Sequence, residues 1–223
     1  MVANMNVKLY GMSVSTCTQK VIFVLQDKQI PFEFININVL KKEQKLPEHI
    51  ARHPFGKIPV LEHEGNFIFE SLAIVRYLDA LHPTVGTKLV PTHDAYKTAL
   101  VDQWTYQSSF NFYPHVQGVI FETAIKPVAG LPTDEAKLAA SRAMLEPTLD
   151  VYEKHFANGA KYFANDEFSL ADLAHVVYFN VVKRTQPDLI SARPNLAKWF
   201  ERVVERDSWK AVMQWIQAQP KCH

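Results

Sequence analysis

The sequence predicts an α+β N-terminal domain followed by an all-α C-terminal domain, and three observations carry that reading. The first 80 residues spell short strands and amphipathic helices in the order β-α-β, a connector, then β-β-α. After Leu81 the stretch HPTVGTKLVPTHD has two prolines, a glycine and no periodicity. Beyond it nothing reads as a strand, only long helical segments. A mixed four-stranded sheet with helices packed on it satisfies the first part. The expected partition is a domain over 1–82, a linker over 83–91 and a helical domain over 92–223.

NVKLY (6–10) and FEFINI (32–37) are short apolar strands, and TQKVIFVLQDKQ between them carries apolar residues at helical spacing, ending before Pro31. IPVLEH and NFIFE flank Glu64-Gly65, a tight-turn signal, so they predict an antiparallel hairpin. Glu70-Ser71 then opens SLAIVRYLDALH, where Leu72, Val75, Leu78 and Leu81 recur at i+3. The second domain is read as helices over 92–124, 133–157, 169–183, 194–205 and 207–218, separated by KPVAGLPTD, NGAKYF and QPDLISARP.

The 223 residues are enough for a sizeable core, and a 48% hydrophobic, 12% aromatic composition argues for a folded chain. Lys+Arg 24 against Asp+Glu 23 gives a net charge of +1, so the charge balance asks for no nucleic acid. No apolar run approaches the ~20 residues that cross a bilayer, and the N-terminus lacks a signal pattern, so no membrane association and a cytoplasmic location are expected. Cys17 and Cys222 form no CxxC or ligand spacing and read as free thiols.

Three short stretches invite chemistry. LYGMSVSTCTQK packs four hydroxyls and a thiol into six residues where a strand hands over to a helix. Ile58-Pro59 precedes a strand; an ordinary trans bond would simply start it, whereas a cis bond would turn the polar backbone of Ile58 toward a ligand. Glu70-Ser71 opens a helix whose free N–H groups can hold a carboxylate while Glu70 pairs with an ammonium; taken alone, Ser71 reads first as an N-cap. His49 and His53 have a helical metal spacing, but Pro54 follows and no third ligand is near, so both are expected to be solvated and no metal site is expected. In WTYQSSFNFYPHVQGVIF, Trp104, Phe110, Phe112, Tyr113 and Val116 are expected to be mostly core.

The strand and hydroxyl-bearing helix start, followed by HPFGKIP and FESLAIVRYL in that order, resemble the glutathione transferase family over the whole chain. The resemblance implies a thioredoxin-like first domain, glutathione as co-substrate without a prosthetic group, and a homodimer. FSLADLAHVVYF resembles the capping-box segment of the family's helical domain, with Ser169 at the N-cap and Asp172 three residues on. STCTQKV and EQKLPEHIARHPFGKIP most resemble the phi class. Its S-T-x-T-x-[RK] pattern implies Ser15 as catalytic residue. It further implies Ile58 and cis Pro59 for the cysteinyl moiety, Glu70 and Ser71 for the γ-glutamyl end, and Lys45 near the glycyl carboxylate. Gln44 stands where the class has histidine and can still donate; Lys57 stands where it has glutamine and adds a cation. The resemblance also suggests Met12, Ser13 and Leu40, with part of the helix carrying Trp104–Phe121, as lining for an apolar electrophile; spacing along that helix selects Phe110, Tyr113 and Gln117.

Ser15 has no obvious base, so its expected role is donation. Lowering a thiol from ~8.5 by two units takes about 2.7 kcal/mol. A hydrogen bond to a charged acceptor contributes roughly 1.5–3 kcal/mol, and a helix N-terminus up to about 1 kcal/mol. The expected function is conjugation of the glutathione thiolate to hydrophobic electrophiles in detoxification, with peroxide reduction as a companion activity. A hydrophobic ligand carrier with little turnover, and a thiol transferase using Cys17, are the alternatives. Cys17 lies two residues into the helix and is read as packing there; Tyr10 is read as a packing residue of the strand.

Overall fold

The computed structural model describes residues 6–219; Cys222 lies outside the described residues. The strands are β1 (Val7–Gly11), β2 (Glu33–Asn36), β3 (Val60–His63) and β4 (Asn66–Phe69). The helices are α1 (Thr16–Asp27), α2 (Pro47–Ile50), α3 (Ser71–Leu81), α4 (Ala95–Gln107), α5 (Tyr113–Ile120) and α6 (Lys126–Val128). They continue with α7 (Glu135–Ala157), α8 (Leu170–Thr185), α9 (Asp188–Ser191), α10 (Pro194–Val204) and α11 (Asp207–Ala218). Two compact units result: one runs to Leu89 and takes in the chain again from Arg206, the other spans Val90–Glu205.

In the first unit the sheet order is β2-β1-β3-β4. β1 and β2 are parallel and are joined through α1, as a parallel pair requires; β3 runs antiparallel to both β1 and β4. Glu64 and Gly65 turn the β3–β4 hairpin with φ of 51° and 79°, the positive pair that suits a two-residue connection. In α1 the run Val21–Leu25 is wholly buried, since the helix packs against α3 as well as α11. The α11 contact departs from the expected partition, which placed 207–218 with the helical domain. Trp209 and Val212 are its buried residues, and Trp215 meets the edge of the Phe34 ring at 4.9 Å.

The buried stripe of α3 is Ser71, Ile74, Val75, Leu78 and Asp79. The expected row at i+3 fails at its ends, with Leu72 half-buried and Leu81 36% exposed. Strict steps of three drift around a helix of 3.6 residues per turn, so the buried face alternates threes and fours. Beyond α3, the expected linker is tied down as far as Leu89. The buried Lys28 ammonium lies 2.9 Å from Asp79 and donates to the carbonyls of His82, Val85 and Thr87 at 3.0–3.1 Å. Asp79 also accepts the Leu89 N–H. An ion pair buried so fully is tolerated because these additional bonds satisfy both charges.

The second unit is helical. Where the sequence suggests one helix over 92–124, wider π turns occupy Ser108–Phe112 and Phe121–Ile125. Each lies just ahead of a proline, Pro114 or Pro127, whose missing N–H and ring displace the carbonyl four residues back. Asp94 caps α4 by accepting the Lys97 N–H at 3.0 Å. Two stretches read as breakers contain short helices, α6 and α9. At the base of α8, buried Asp172 accepts from Ser169 N–H and Oγ, the Phe163 amide and the Trp199 indole at 2.8–3.1 Å. Burial pushes its pKa up to about 6 against these four donors.

Candidate functional site

The sheet register brings most of the expected site residues to one end of the first unit. Tyr10 pairs with Val60 and Val60 with Phe69, so Gly11, Pro59 and Glu70, one step further along each strand, come out side by side. Asn36 pairs with Gly11 in parallel, and the Ile37 amide donates to the Gly11 carbonyl at 2.8 Å. The segment after β2, which carries Leu40, Gln44 and Lys45, therefore departs from the same end. With strands ~4.8 Å apart, the loop before α1, the Ile58–Pro59 bond and the start of α3 form a contiguous rim.

Ser15 is the N-cap of α1, with extended backbone (φ −71°, ψ 124°), and its Oγ accepts the Thr18 N–H through a long bond of 3.4 Å. No acidic residue occupies the first turn, so the positive end of the helix dipole is unopposed there. Gly11 is required by this approach: a Cβ would sit 2.7 Å from the Thr18 side chain. Met12 and Ser13 are buried in the connecting turn, where the Ser13 carbonyl accepts from Gln19 Nε2 at 3.1 Å. Cys17 is half-buried in the first turn, more open than the packed position expected of it. Lys20, one turn further, is buried, and burial pushes its pKa down against the pull of Cys17 and Glu70.

Tyr10 is packed within the first unit, the position expected of a strand residue. Its ring is 5% exposed and lies under the Arg52 guanidinium at 4.6 Å. Burial, with help from Glu62, pushes its hydroxyl pKa up to about 12.

The Ile58–Pro59 bond is cis, with Ile58 half-buried and Pro59 buried. Lys57 exposes its side chain, while its carbonyl takes the Nε2 of His49 at 2.8 Å. Lys45 is exposed, its ammonium donating to the Phe55 carbonyl at 3.0 Å; Gln44 is half-buried and Leu40 is 43% exposed. Gly56 sets this arrangement: its φ is +56°, and a Cβ would press on the Gln44 carbonyl at 2.8 Å.

At the start of α3 the capping roles differ from those expected. Glu70 is the N-cap, with no side-chain cap bond, and buried Ser71 is the first helical residue. Glu70 is exposed and has φ 69°, a conformation that costs a non-glycine residue energy and concentrates at binding sites.

Phe110, Tyr113 and Gln117 belong to the second unit. Phe110, expected to be core, is 73% exposed in the first π turn and stacks with Tyr106 at 6.3 Å. Tyr113 is half-buried against the Tyr178 ring at 5.3 Å, and Gln117 is exposed. Trp104 is half-buried, while Phe112 and Val116 are core as expected.

The histidine expectation is overturned. His49 is 1% and His53 2% exposed, one held by the Lys57 carbonyl, the other stacked on Phe69 at 4.6 Å. Among the described residues no cluster of three or more metal-ligating side chains occurs. Sequence reasoning missed His53 and Phe69, which join the 43–57 segment to the Glu70 end of β4; the only signal was the histidine inside HPFG.

Comparison with known proteins shows the family. Residues 9–87 match the family model for the glutathione S-transferase N-terminal domain, and 112–207 that for its C-terminal domain. Glutathione S-transferase F13 of Arabidopsis thaliana is 33% identical over 97% of this chain and 99% of its own. The crystal structure of glutathione transferase F7 from Populus trichocarpa superposes with a TM-score of 0.89 at 31% identity, covering 94% of this chain and 99% of that one. Glutathione S-transferase I from maize, solved with an atrazine–glutathione conjugate, gives 0.85 at 28% identity over 96% and 100%. A thioredoxin-like first domain, a helical second domain and similarity to these plant enzymes along the whole chain make it a member of the glutathione S-transferase family, most like the phi class.

Proposed function

We propose that the chain conjugates glutathione to hydrophobic electrophiles, with Ser15 as the catalytic residue. The observation that carries this reading is the common rim: the Ser15 cap, Ile58–Pro59 and Glu70–Ser71 leave the sheet at one end, in register through Tyr10, Val60 and Phe69. On that rim Glu70 pairs with the γ-glutamyl ammonium, while Ser71 and the free N–H groups of α3 take the α-carboxylate. The backbone of Ile58, beside Pro59, pairs with the cysteinyl residue, and Gln44, Lys45 and Lys57 face the glycyl carboxylate.

Ser15 then acts as a donor. Its Oγ accepts from Thr18, so the hydroxyl proton is the part available to the glutathione sulfur. That bond and the unopposed dipole of α1 favour the thiolate; the thiol proton goes to solvent. The thiolate attacks the electrophilic carbon, a C–S bond forms, and the leaving group departs with its bonding pair. Met12, Ser13 and Leu40 are assigned to the apolar acceptor in the first unit. Phe110, Tyr113 and Gln117 are assigned to it on their spacing in the sequence. The reading extends, on family membership alone, to a cytoplasmic homodimer in detoxification and to organic peroxide reduction. No helix among the described residues is long and apolar enough to cross a membrane.

Glutathione-dependent turnover of a generic aryl halide tests the reading. Measurable conjugation that Ser15→Ala abolishes, with glutathione binding retained, supports it. Negligible wild-type turnover beside tight binding of hydrophobic ligands supports the carrier alternative.

A further inference from the structure

We infer that His53 is a positioning residue of the glutathione site: its neutral imidazole couples the turn carrying Lys57 and Ile58 to the Phe69–Glu70 strand end, so protonating it loosens the grip on the tripeptide. The inference rests on the glutathione reading above.

Three contacts fix the ring. It stacks on Phe69 at 4.6 Å and 28°, and meets Phe55 edge-on at 6.1 Å. Its Nδ1 accepts the Phe55 N–H at 3.3 Å, while its carbonyl accepts the Gly56 N–H at 2.8 Å. His53 thus closes the 53–56 turn twice, immediately before Lys57 and Ile58. On the other side it braces Phe69, the residue before Glu70.

An accepting Nδ1 dictates the neutral tautomer with its proton on Nε2. An imidazolium carries a proton on both nitrogens, and its Nδ1–H would oppose the Phe55 N–H. The charged groups around the ring are Glu70 at the end of β4, His49 on α2, Lys45 in the Glu43–Lys45 turn, and Lys57. Burial pushes the His53 pKa below its ordinary value; Glu70 pulls upward, while His49, Lys57 and Lys45 push down. The ring is therefore neutral at pH 7 and takes a proton as pH falls. Protonation has two consequences that act together. The turn loses its Nδ1 bond, and the new cation competes with the ligand ammonium for the Glu70 carboxylate.

The test is calorimetric titration of the full chain with S-methylglutathione, whose capped sulfur does not titrate, from pH 7.5 to 5, a window in which the ligand's carboxylates stay ionised and its amine largely protonated. The wild-type Kd is expected to weaken roughly fivefold or more toward pH 5. His53→Ala is expected to weaken it about tenfold at pH 7.5, through the loss of one part-buried hydrogen bond and of the ring stacked on Phe69. His53→Asn supplies a non-titrating acceptor, so it is expected to restore most of that loss and to flatten the acid limb. Superimposable pH profiles for wild type and His53→Asn, with S-methylglutathione bound, overturn this inference alone. No glutathione binding by the wild type overturns the functional reading and this inference with it.

Discussion

The Tyr10 hydroxyl donates to Glu62 Oε2 at 2.6 Å, joining β1 to β3 beneath the Arg52 guanidinium. That bond, aided by Lys8 and opposed by burial, holds the Glu62 carboxyl below its usual range. A lowered carboxyl stabilises the fold above its unfolded pKa and loses that contribution as pH falls through the folded value. Tyr10 is raised, so its contribution is complete below pH ~10 and is lost as pH climbs toward about 12. Tyr10→Phe should cost about 1.5 kcal/mol at pH 7, and the cost should shrink as pH falls through the lowered folded pKa of Glu62. Thermal melts of both proteins across this range check it; a constant difference at all pH values contradicts it.

Glu70 makes no side-chain cap bond, so removing its charge spares α3 while depriving the ligand ammonium of its partner. Glu70→Gln should weaken glutathione binding by roughly tenfold to a hundredfold, the range for a hydrogen bond to a charged group. The melting temperature should stay close to wild type. Calorimetric titration beside a thermal melt separates the two; a lost fold with unchanged affinity per folded molecule counts against the assignment.

Asp172 gathers four donors in the core of the second unit. Asp172→Ala strands the Trp199 indole and two backbone amides at once, and should destabilise the protein by about 3 kcal/mol or more. Equilibrium denaturation in urea measures this. A loss under 1 kcal/mol would mean that water replaces the carboxylate.

Much of the fold is legible in the sequence because local signals and tertiary packing agree. Glu64-Gly65 names the hairpin, and Pro31 stops the pattern of α1. Three features are not legible, each for a physical reason. Pro114 lies inside the single helix expected over 92–124 and Pro127 in an expected breaker, yet each follows a widened turn that absorbs the missing N–H, which the apolar pattern does not reveal. The amphipathic pattern of α11 declares a buried face without saying what covers it, and its partner is α1, nearly 200 residues earlier. His53 looks solvent-facing beside Pro54 until Phe69, from a distant strand, lies on its ring. At the candidate site, the motif residues Ser15, Ile58, Pro59, Glu70 and Ser71 are readable by resemblance, while the register that lines them up appears only in the sheet.

The most direct measurement is the pKa of the glutathione thiol when bound, followed by ultraviolet thiolate absorbance in wild type, Ser15→Ala and Cys17→Ser. The wild type should hold it about two units below the free value, near 6.5. Cys17→Ser should leave it there, and Ser15→Ala should return it most of the way toward ~8.5, in line with the loss of a charge-assisted hydrogen bond. An unchanged thiol pKa in Ser15→Ala, or a loss of the shift in Cys17→Ser alone, would contradict the assignment of Ser15.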